Sequence, residues 1–513
     1  MSLDEKRRES DEMSRCEFSH TSTFSRAGFY LPFSGAAVFP DREAFLGMSG
    51  DYDYLPLYSR SSLDLDVVDF FEKIIADNNR PFCLLESLTG SDNGRYSIIA
   101  LKPLLEIITH LNNPQGIKPL RNFFSTVNVP ELDFPFFAGG LLGYWTYETG
   151  LQYQSLETGT NDFPEQYFFM PEELLVYDRQ EKTLSGFIWT DTSKVNQEKY
   201  EENCQRLDEL FCQAAMCRAE TNDNSSAFNI EFNQDQIDLD FKVNIEKKEF
   251  YSMVEKAREH ICQGDIFQIV LSRRWQKASS ADPWKVYLNL RELNPSPYMF
   301  YFRLSDFTLM GASPEMQVKV EKGRIKSRPI AGTRKVSGDE VRDGELAREL
   351  LADEKERAEH LMLVDLSRND IGRVSKAASV RVNDFMKIER YSHVMHIVSS
   401  VEGELKGNND ALEAFQACFP AGTLSGAPKR RAMEIIRGLE NHPRGPYGGA
   451  AGHISFDGSL DSCISIRAIL YKEGKYYLQS GAGIVADSVP ENEEKETLHK
   501  ARALMLAIKE AEK

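Results

Sequence analysis

Two pairs of glutamates with helical spacing are the residues of this sequence best suited to metal chemistry. Residues 353–370, DEKERAEHLMLVDLSRND, have the pattern of a helix and place Glu356 and Glu359 on one face. A later helical segment, PENEEKETLHKARAL, repeats this spacing with Glu493 and Glu496. Because Mg²⁺ prefers carboxylate oxygens and water as ligands, convergence of the two pairs would form a Mg²⁺ site. A solvated helix surface is the alternative for each pair, since spacing alone does not bring distant helices together.

Several other residues are candidates for binding an anion. Gly481, Ala482 and Gly483 follow a predicted strand, where small side chains let backbone N–H groups approach a carboxylate; a plain loop is the alternative. Arg467, in SIRAIL, is predicted to lie inside an apolar strand and needs an anionic partner, either a ligand or a structural carboxylate. Lys500 lies one helical turn after the second glutamate pair, where a surface lysine is the simpler interpretation.

A histidine in a predicted strand is the candidate for proton transfer. His396 alternates with Val394 and Val398, and is either a satisfied core histidine or an acid–base group. Gly332 and Thr333 close another predicted strand, where a turn is the simplest interpretation. The sequence contains no GxSxG elbow, Walker loop, Rossmann glycine pattern or cysteine in a glycine-rich turn. We therefore expect chemistry based on a metal, bound anions and acid–base groups.

The composition restricts the class of protein. The chain has 513 residues, too many for one ordinary domain, and 41 % are hydrophobic, which supports a large core. No apolar run approaches the ~20 residues of a membrane span, and the charged start lacks a signal core. The net charge of −18 argues against nucleic acid as a partner. The eight cysteines are scattered, so a reducing cytoplasm is expected, without disulfides or structural zinc.

Changes in composition divide the chain into four predicted parts. Residues 1–50 form an extension of unknown order, and residues 51–218 form an N-terminal domain. Residues 219–240 are polar and short of aliphatic side chains, as in a linker, and residues 241–513 form the second domain. Many neighbouring strands joined by short turns predict an α+β fold with largely antiparallel sheet and helices packed outside.

Six stretches of the second domain, in chain order, resemble the chorismate-utilising enzymes. They are PIAGTR, DEKERAEHLMLVDLSRNDIGRV, FPAGTLSGAPKRRAMEII, GPYGGAAGHISFDG, SIRAIL and QSGAGIVADSVPENEEKET. The resemblance extends over roughly residues 52–513, and these motifs are long and specific. It implies antiparallel sheets packed as a sandwich, with helices on the outside.

The resemblance implies a reaction on chorismate, a cyclohexadiene with a ring carboxylate and an enolpyruvyl carboxylate. Ammonia would add at C2 as the C4 hydroxyl leaves, and elimination of pyruvate would then give anthranilate. Gln268 stands where water-using members are expected to carry an activating lysine, and Ala331 where many aminodeoxychorismate synthases carry a lysine that attacks C2. Both residues favour ammonia as the nucleophile, although a member that stops at the amino intermediate would share them.

The resemblance also implies roles for individual residues. Mg²⁺ would be held by Glu359 and Glu496. Glu356 and Glu493 would be direct or water-mediated ligands. The catalytic positions carried over are His396, in proton transfer during pyruvate elimination, with Gln268 and Thr333. The substrate-binding positions carried over are Gly332, Thr333, Tyr447, Arg467, Gly481, Ala482, Gly483 and Lys500.

Regulation and a partner subunit are further implications of the resemblance. Glu86 and Ser87 of LLESLTG, with Pro297, Tyr298 and Met299 of NPSPYMF, would line an allosteric pocket for L-tryptophan, an inhibitor. Because glutaminase chemistry is missing from the sequence, a separate glutamine amidotransferase subunit would supply ammonia. A non-catalytic protein that senses tryptophan is the alternative from another class, and retention of the four glutamates argues against it.

Overall fold

The computed structural model describes residues 29–30, 37–76, 79–89, 94–110, 115–159, 163–217, 240–390, 394–407 and 409–513. The helices in these residues are α1 (Arg42–Gly47), α2 (Val67–Ile75), α3 (Lys118–Thr126), α4 (Tyr147–Tyr153), α5 (Gln197–Ala215), α6 (Lys247–Cys262), α7 (Pro283–Leu293), α8 (Glu340–Ala352), α9 (Glu354–Val374), α10 (Ala411–Cys418), α11 (Lys429–Leu439) and α12 (Pro490–Ala511). None of these described helices is long and apolar enough to cross a bilayer.

The strands are β1 (Phe29–Tyr30), β2 (Ala37–Phe39), β3 (Tyr54–Ser62), β4 (Phe82–Glu86), β5 (Tyr96–Thr109), β6 (Gly140–Trp145), β7 (Gln166–Asp178), β8 (Thr183–Asp191), β9 (Lys242–Val243), β10 (Gln268–Ala278), β11 (Tyr298–Arg303), β12 (Phe307–Ser313), β13 (Met316–Glu321), β14 (Arg324–Ser327), β15 (Ile330–Lys335), β16 (Arg381–Arg390), β17 (Val394–Glu404), β18 (Gly426–Ala427), β19 (Ala450–Ser455), β20 (Leu460–Ile464), β21 (Ala468–Lys472) and β22 (Lys475–Ile484). The pairs between these described strands are antiparallel, which confirms the predicted α+β class.

The two halves of the chain share one hydrogen-bonded sheet network. Strand β4 pairs with β11, and β6 pairs with β19, so strands from before and after the predicted linker lie side by side. Apart from Asp240, that linker (219–240) lies outside the described residues. The division of the chain into two domains therefore stays a prediction.

Part of the predicted N-terminal extension is folded onto the sheet. Strand β2 pairs with β3. Val38 and Phe45 are fully buried in a core that also contains Leu207 of α5 and Leu504 of α12. Asp41 caps α1 by accepting a hydrogen bond from the Ala44 N–H at 2.9 Å. Residues 1–28 and 31–36 of this extension lie outside the described residues.

Adjacent residues of one strand belong to different cores, which is the pattern of a sandwich. Ile98 of β5 lies in a core that also contains Phe168 of β7 and Phe302 of β11, and that is contributed mainly by strands. Ile99 lies in a second core, which packs α2, α5, α7 and α12 against the outer face through residues such as Leu504. The predicted sandwich with helices outside is thus confirmed.

Two anchors hold the helices that carry the glutamate pairs. In α9, His360 is fully buried, and its Nε2 lies 2.6 Å from the hydroxyl of Ser399 in β17. In α12, Glu494 accepts a hydrogen bond at 2.6 Å from Arg273 of β10, and both side chains are only 4 % exposed. Because an uncompensated charge at such a depth is costly, this ion pair fixes the start of α12 against the sheet.

Replacing His360 by glutamine is expected to remove part of the pH dependence of stability. Burial lowers the pKa of His360 to about 4, so the folded protein keeps this imidazole neutral where the unfolded chain, with a pKa of 6.5, binds a proton. The unfolded state then binds more protons, and the free energy of unfolding falls as the pH drops below 6.5, by about 2 kcal/mol at pH 5. Urea denaturation at pH 7 and pH 5 measures the difference. An equal loss in His360→Gln and in the parent would contradict this origin.

Candidate active site

The two glutamate pairs lie within electrostatic reach of each other. Burial raises the pKa of Glu359, and the carboxylates of Glu356 and Glu496 raise it further. Burial also raises the pKa of Glu493, and Glu496 adds to that effect. Helices α9 and α12 thus bring their first two turns together, with Lys355 and Lys500 lowering both pKa values. Helix N-termini favour negative charge, which partly offsets this crowding.

The four glutamate carboxylates are of the type that a hard divalent cation prefers, although two of them already contact a cationic side chain. Glu356 accepts a hydrogen bond from Arg334 at 3.2 Å, and Glu496 pairs with Lys500 at 2.7 Å. Within the described residues, no group of three or more His, Cys, Asp or Glu side chains is arranged to hold a metal by itself. Mg²⁺ usually takes only one or two protein carboxylates and completes its shell with water and substrate oxygens, so four nearby carboxylates are chemically sufficient.

His396 is a neutral base held in one orientation. Its Nδ1 lies 2.8 Å from the carbonyl oxygen of Gly332 and 3.1 Å from the hydroxyl of Thr333. A carbonyl only accepts, so Nδ1 carries the proton and Nε2 is the basic nitrogen. Burial lowers the pKa of His396, and the charge of Arg467 lowers it further. The ring is therefore neutral at pH 7.

Gly332 and Thr333 lie inside β15, so their predicted position at a strand-closing turn is wrong. The register between β15 and β17 shifts between Ala331 and Arg334, which is the mark of a β-bulge. Gly332 has φ +66°, and a Cβ there would lie 2.9 Å from Leu350 Cδ1 and 3.1 Å from a carboxylate oxygen of Glu356. The bulge therefore requires glycine and brings the backbone close to the first glutamate pair.

Arg467 does not lie inside a strand, contrary to the prediction from alternation. Strand β20 ends at Ile464 and β21 begins at Ala468, and Arg467 between them has a positive φ of 48°. This conformation, set by the tertiary fold, is uncommon for a non-glycine residue and breaks the alternation. The guanidinium donates to Asn294 Oδ1 at 3.2 Å and is in electrostatic contact with Glu315.

Gly481, Ala482 and Gly483 are part of β22, so their predicted position after the strand is also wrong. They pair with Ser272, Leu271 and Val270 of β10, whereas β21 pairs only with residues 475–478 of β22. Lys500 Nζ donates to the carbonyl oxygen of Gly481 at 3.1 Å. In a strand, the N–H and C=O groups of one residue point to the same edge, and so do those of the residue two positions further on. The N–H groups of Gly481 and Gly483 therefore point to the edge of β22 that Lys500 contacts.

Tyr447 and Gln268 lie beside these glycines. Tyr447 is buried, and its hydroxyl would be 2.8 Å from a Cβ at Gly481. Gln268 is 5 % exposed, and its Nε2 would be 2.8 Å from a Cβ at Gly483. Among the described residues, Oε1 of Gln268 has no hydrogen-bond partner although it is buried. Such an acceptor is costly unless a ligand or water donates to it.

Glu315 is the site residue that sequence reasoning missed. It lies between β12 and β13, and Thr423 donates a hydrogen bond to its Oε1 at 3.0 Å. Burial raises the pKa of Glu315 to about 7, although the charges of Lys500 and Arg467 lower it. The carboxyl is thus half-protonated near neutral pH, as suits a general acid. The isolated acid after Pro314 in GASPEMQ is the only signal in the sequence.

The five residues predicted to bind tryptophan lie together on one cavity of about 480 Å³. Leu85, Glu86, Ser87, Pro297, Tyr298 and Met299 are among its lining residues. Glu86 is buried and accepts hydrogen bonds from Arg179 at 2.5 Å, Arg291 at 2.9 Å and Tyr287 at 3.0 Å. Burial raises the pKa of Glu86, but the two arginines outweigh this effect and lower it overall. The cavity therefore has an ionised, fully paired carboxylate at one end.

Comparison with known proteins agrees with this geometry. The sequence profile of the chorismate binding enzymes matches residues 80–506. The chain belongs to this family, which confirms the resemblance of its motifs.

Proteins similar to this chain include anthranilate synthases and an aminodeoxychorismate synthase. The chain is 42 % identical to anthranilate synthase component 1 of Acetivibrio thermocellus, over 90 % of this chain and 97 % of the relative. It is 39 % identical to aminodeoxychorismate synthase component 1 of Bacillus subtilis, over 86 % and 94 %. The solved structure of anthranilate synthase component I from Streptococcus pneumoniae TIGR4 superposes with a TM-score of 0.69 at 36 % identity, covering 81 % of this chain and 93 % of the other.

Replacing Glu359 by glutamine is expected to stabilise the metal-free protein while weakening its response to Mg²⁺. The change removes one of several like charges, and a gain of about 1 kcal/mol or less is expected. Thermal unfolding with and without MgCl₂ measures both effects: the parent Tm should rise with Mg²⁺, and that rise should shrink in Glu359→Gln. Glu354→Gln, at an exposed position of the same helix, is the matched control. An unchanged Mg²⁺ response in Glu359→Gln would exclude this carboxylate as a ligand.

Proposed function

We propose that this protein is the large subunit of an anthranilate synthase, a lyase that converts chorismate and ammonia into anthranilate and pyruvate for tryptophan biosynthesis. The observation that carries the proposal is the juxtaposition of the glutamate pairs, the Gly481–Gly483 edge and the unpaired acceptor of Gln268 around one site. The names of its relatives support the same reaction.

The two carboxylates of chorismate bind at opposite parts of this site. The N–H groups of Gly481 and Gly483, the Tyr447 hydroxyl and the Arg467 guanidinium would hold the enolpyruvyl carboxylate. Mg²⁺ on Glu359 and Glu496, with Glu356 and Glu493 as direct or water-mediated ligands, would bind the ring carboxylate and supply Lewis-acid stabilisation of charge. Gly332 and Thr333 lie close to the glutamates, so their backbone borders the ring.

Glu315 and Gln268 would carry the amination. Protonated Glu315 donates its proton to the C4 oxygen, which leaves as water with the electron pair of the C–O bond. The Oε1 of Gln268 accepts a hydrogen bond from ammonia and directs the nitrogen lone pair towards C2. A glutamine has no basic group with which to activate water, so ammonia is the nucleophile that this position favours.

His396 would carry the second half of the reaction. Its Nε2 takes the proton from C2 of the amino intermediate, the electrons of the C2–H bond complete the aromatic ring, and the C3–O bond breaks with its electron pair. Pyruvate leaves as its enolate, which takes up the proton that His396 has accepted. The hydrogen bonds from Nδ1 to Gly332 and Thr333 fix the tautomer that leaves Nε2 basic. Neutral imidazole at pH 7 is the form required for this step.

Ammonia would come from a glutamine amidotransferase subunit in the cytoplasm. The sequence offers no glutaminase nucleophile, and the seven described cysteines are free, as in a reducing compartment. Synthesis of aminodeoxychorismate is the second candidate, favoured by the Bacillus subtilis relative. Ala331 argues against the covalent form of that reaction, because it offers no amine.

A product assay tests the proposed function. Purified protein incubated with chorismate, Mg²⁺ and ammonium chloride is expected to give fluorescent anthranilate and one equivalent of pyruvate. Glutamine in place of ammonium should give no product until an amidotransferase subunit is added. Accumulation of a non-aromatic amino compound by the parent protein would overturn the proposal in favour of the second candidate.

The variant His396→Ala separates the two halves in the same assay. The rate of anthranilate formation should fall at least about tenfold more than the rate of chorismate consumption. The reason is that general-base catalysis contributes a factor of ~10²–10⁴ to the step that needs it. Liquid chromatography of the reaction would show the amino intermediate. Equal loss of both activities would contradict the division of roles.

The cavity of about 480 Å³ supports feedback inhibition by L-tryptophan. Its size suits an indole-bearing amino acid, and it combines apolar walls with a few polar groups, as in small-molecule sites. A ligand bound there would inhibit by favouring a state with lower affinity for chorismate. An exclusively structural cavity would bind no amino acid.

Filling this cavity should remove inhibition. Ser87→Leu adds apolar volume at the lining, so tryptophan should bind at least tenfold more weakly by calorimetry, and the concentration for half inhibition should rise in proportion. Ser87→Ala removes the hydroxyl without filling space and is the matched control. Inhibition of Ser87→Leu at parental tryptophan concentrations would place the inhibitor elsewhere.

A further inference from the structure

A second, smaller cavity lies beside Glu315 and extends to helix α9. Its volume is about 40 Å³, which exceeds the space one water molecule requires. Polar and apolar side chains line it in similar numbers, and the polar ones are Glu315, Gln317, Ser327, Arg328, Ser367, Asp370 and Thr423. None of these residues except Glu315 enters the reaction proposed above.

Gln317 lines this space and carries an unsatisfied buried group. The side chain is 4 % exposed, and its Nε2 donates to the carbonyl oxygen of Cys418 at 3.1 Å. Its Oε1 is buried without a hydrogen-bond partner among the described residues. Leaving such an acceptor unpaired is costly, and a water molecule that donates to it removes that cost.

Exposure, rather than charge, distinguishes the two sides of Glu315. Arg467 and Lys500 act on it from the side of the proposed substrate, and Arg328 lines the cavity on the other. Asp370, which also lines the cavity, is neutralised by Lys429 at 2.7 Å, but Asp370 and Ser367 are partly exposed on α9. The cavity therefore gives Glu315 a path towards solvent.

We propose that water held in this cavity by Gln317 returns a proton to Glu315 after each turnover. The inference rests on the proposed function, in which Glu315 gives its proton to the departing C4 oxygen and remains as a carboxylate. The nitrogen that bonds to C2 arrives as ammonia and loses one proton to become the amine. That proton enters solvent, one proton reaches Glu315 through the cavity, and the cycle is balanced. Gln317 is a positioning residue, since it does not touch substrate, whereas Ser367 only lines the cavity.

Comparison of the first turnover with later turnovers tests the relay. Gln317→Met keeps the shape of the side chain and removes the acceptor. Because Glu315 is already protonated in a fraction of resting enzyme, the single-turnover rate with excess enzyme should change less than twofold. Steady-state kcat should fall at least tenfold, so that a burst of product precedes a slow phase. A substitution that only disturbs the structure would slow both phases equally.

A pair of variants at a second position tests the relay even if Gln317→Met fails to fold. Ser367→Val fills the cavity from α9, whereas Ser367→Ala at the same position leaves it open. Ser367→Val should reproduce the burst and the tenfold loss of kcat, and Ser367→Ala should stay within twofold of the parent. Equal rates in the two Ser367 variants, or equal slowing of first and later turnovers, would overturn the relay while the parental activity upholds the proposed function. A parent protein that never converts chorismate would overturn both.

A crystal structure of the parent protein provides a direct check. Ordered water within hydrogen-bond distance of both Gln317 Oε1 and the Glu315 carboxyl is expected. A dry cavity would overturn the relay.

Discussion

Mutual repulsion of the glutamates is the constraint on which the site depends. Helices α9 and α12 bring Glu356, Glu359, Glu493 and Glu496 together within their first two turns; burial raises the pKa of Glu359, and the like charges raise it further. Arg334 and Lys500 neutralise one member of each pair through contacts of 3.2 Å and 2.7 Å. The N-terminal dipoles of the two helices add a smaller stabilisation. The remaining negative potential suits a divalent cation, and in the proposed function the ring carboxylate of chorismate would need that cation in order to bind here.

Such a repulsive arrangement persists only because other interactions determine the helix positions. The buried Arg273–Glu494 pair ties α12 to β10, and the same strand presents Gln268 and pairs with the glycines of β22. The His360–Ser399 contact ties α9 to β17, which also carries His396. Each glutamate pair is thus coupled through one helix to a strand that carries one of the proposed catalytic residues. The two sheet strands, rather than the glutamates themselves, set the distance across the site.

Local sequence patterns predicted the helices and the residues that share one helix face, but not the irregular backbone of the site. The spacing of Glu356 and Glu359 and the cap at Asp353 are local properties, and the observed α9 agrees with them. The bend at Arg467 and the bulge at Gly332 depend on neighbouring strands, so alternation misplaced Arg467, and the expected end of a strand misplaced Gly332. Glu315 was missed for a different reason. A single acid carries no periodicity, and only burial beside Arg467 and Lys500 distinguishes it.

The two cavities share part of their walls. Met316 and Arg328 line both, and Pro314, on the other side of Glu315, lines the larger one. The backbone here is held by the Ile464 N–H, which donates to the Glu315 carbonyl oxygen at 3.0 Å. Packed interiors transmit displacement because they have little free volume. A ligand that shifted Pro314 or Met316 in the larger cavity would therefore also shift Glu315, which is bonded to both of them. The proposed effector site and the proposed general acid would then be coupled through adjacent residues of the chain.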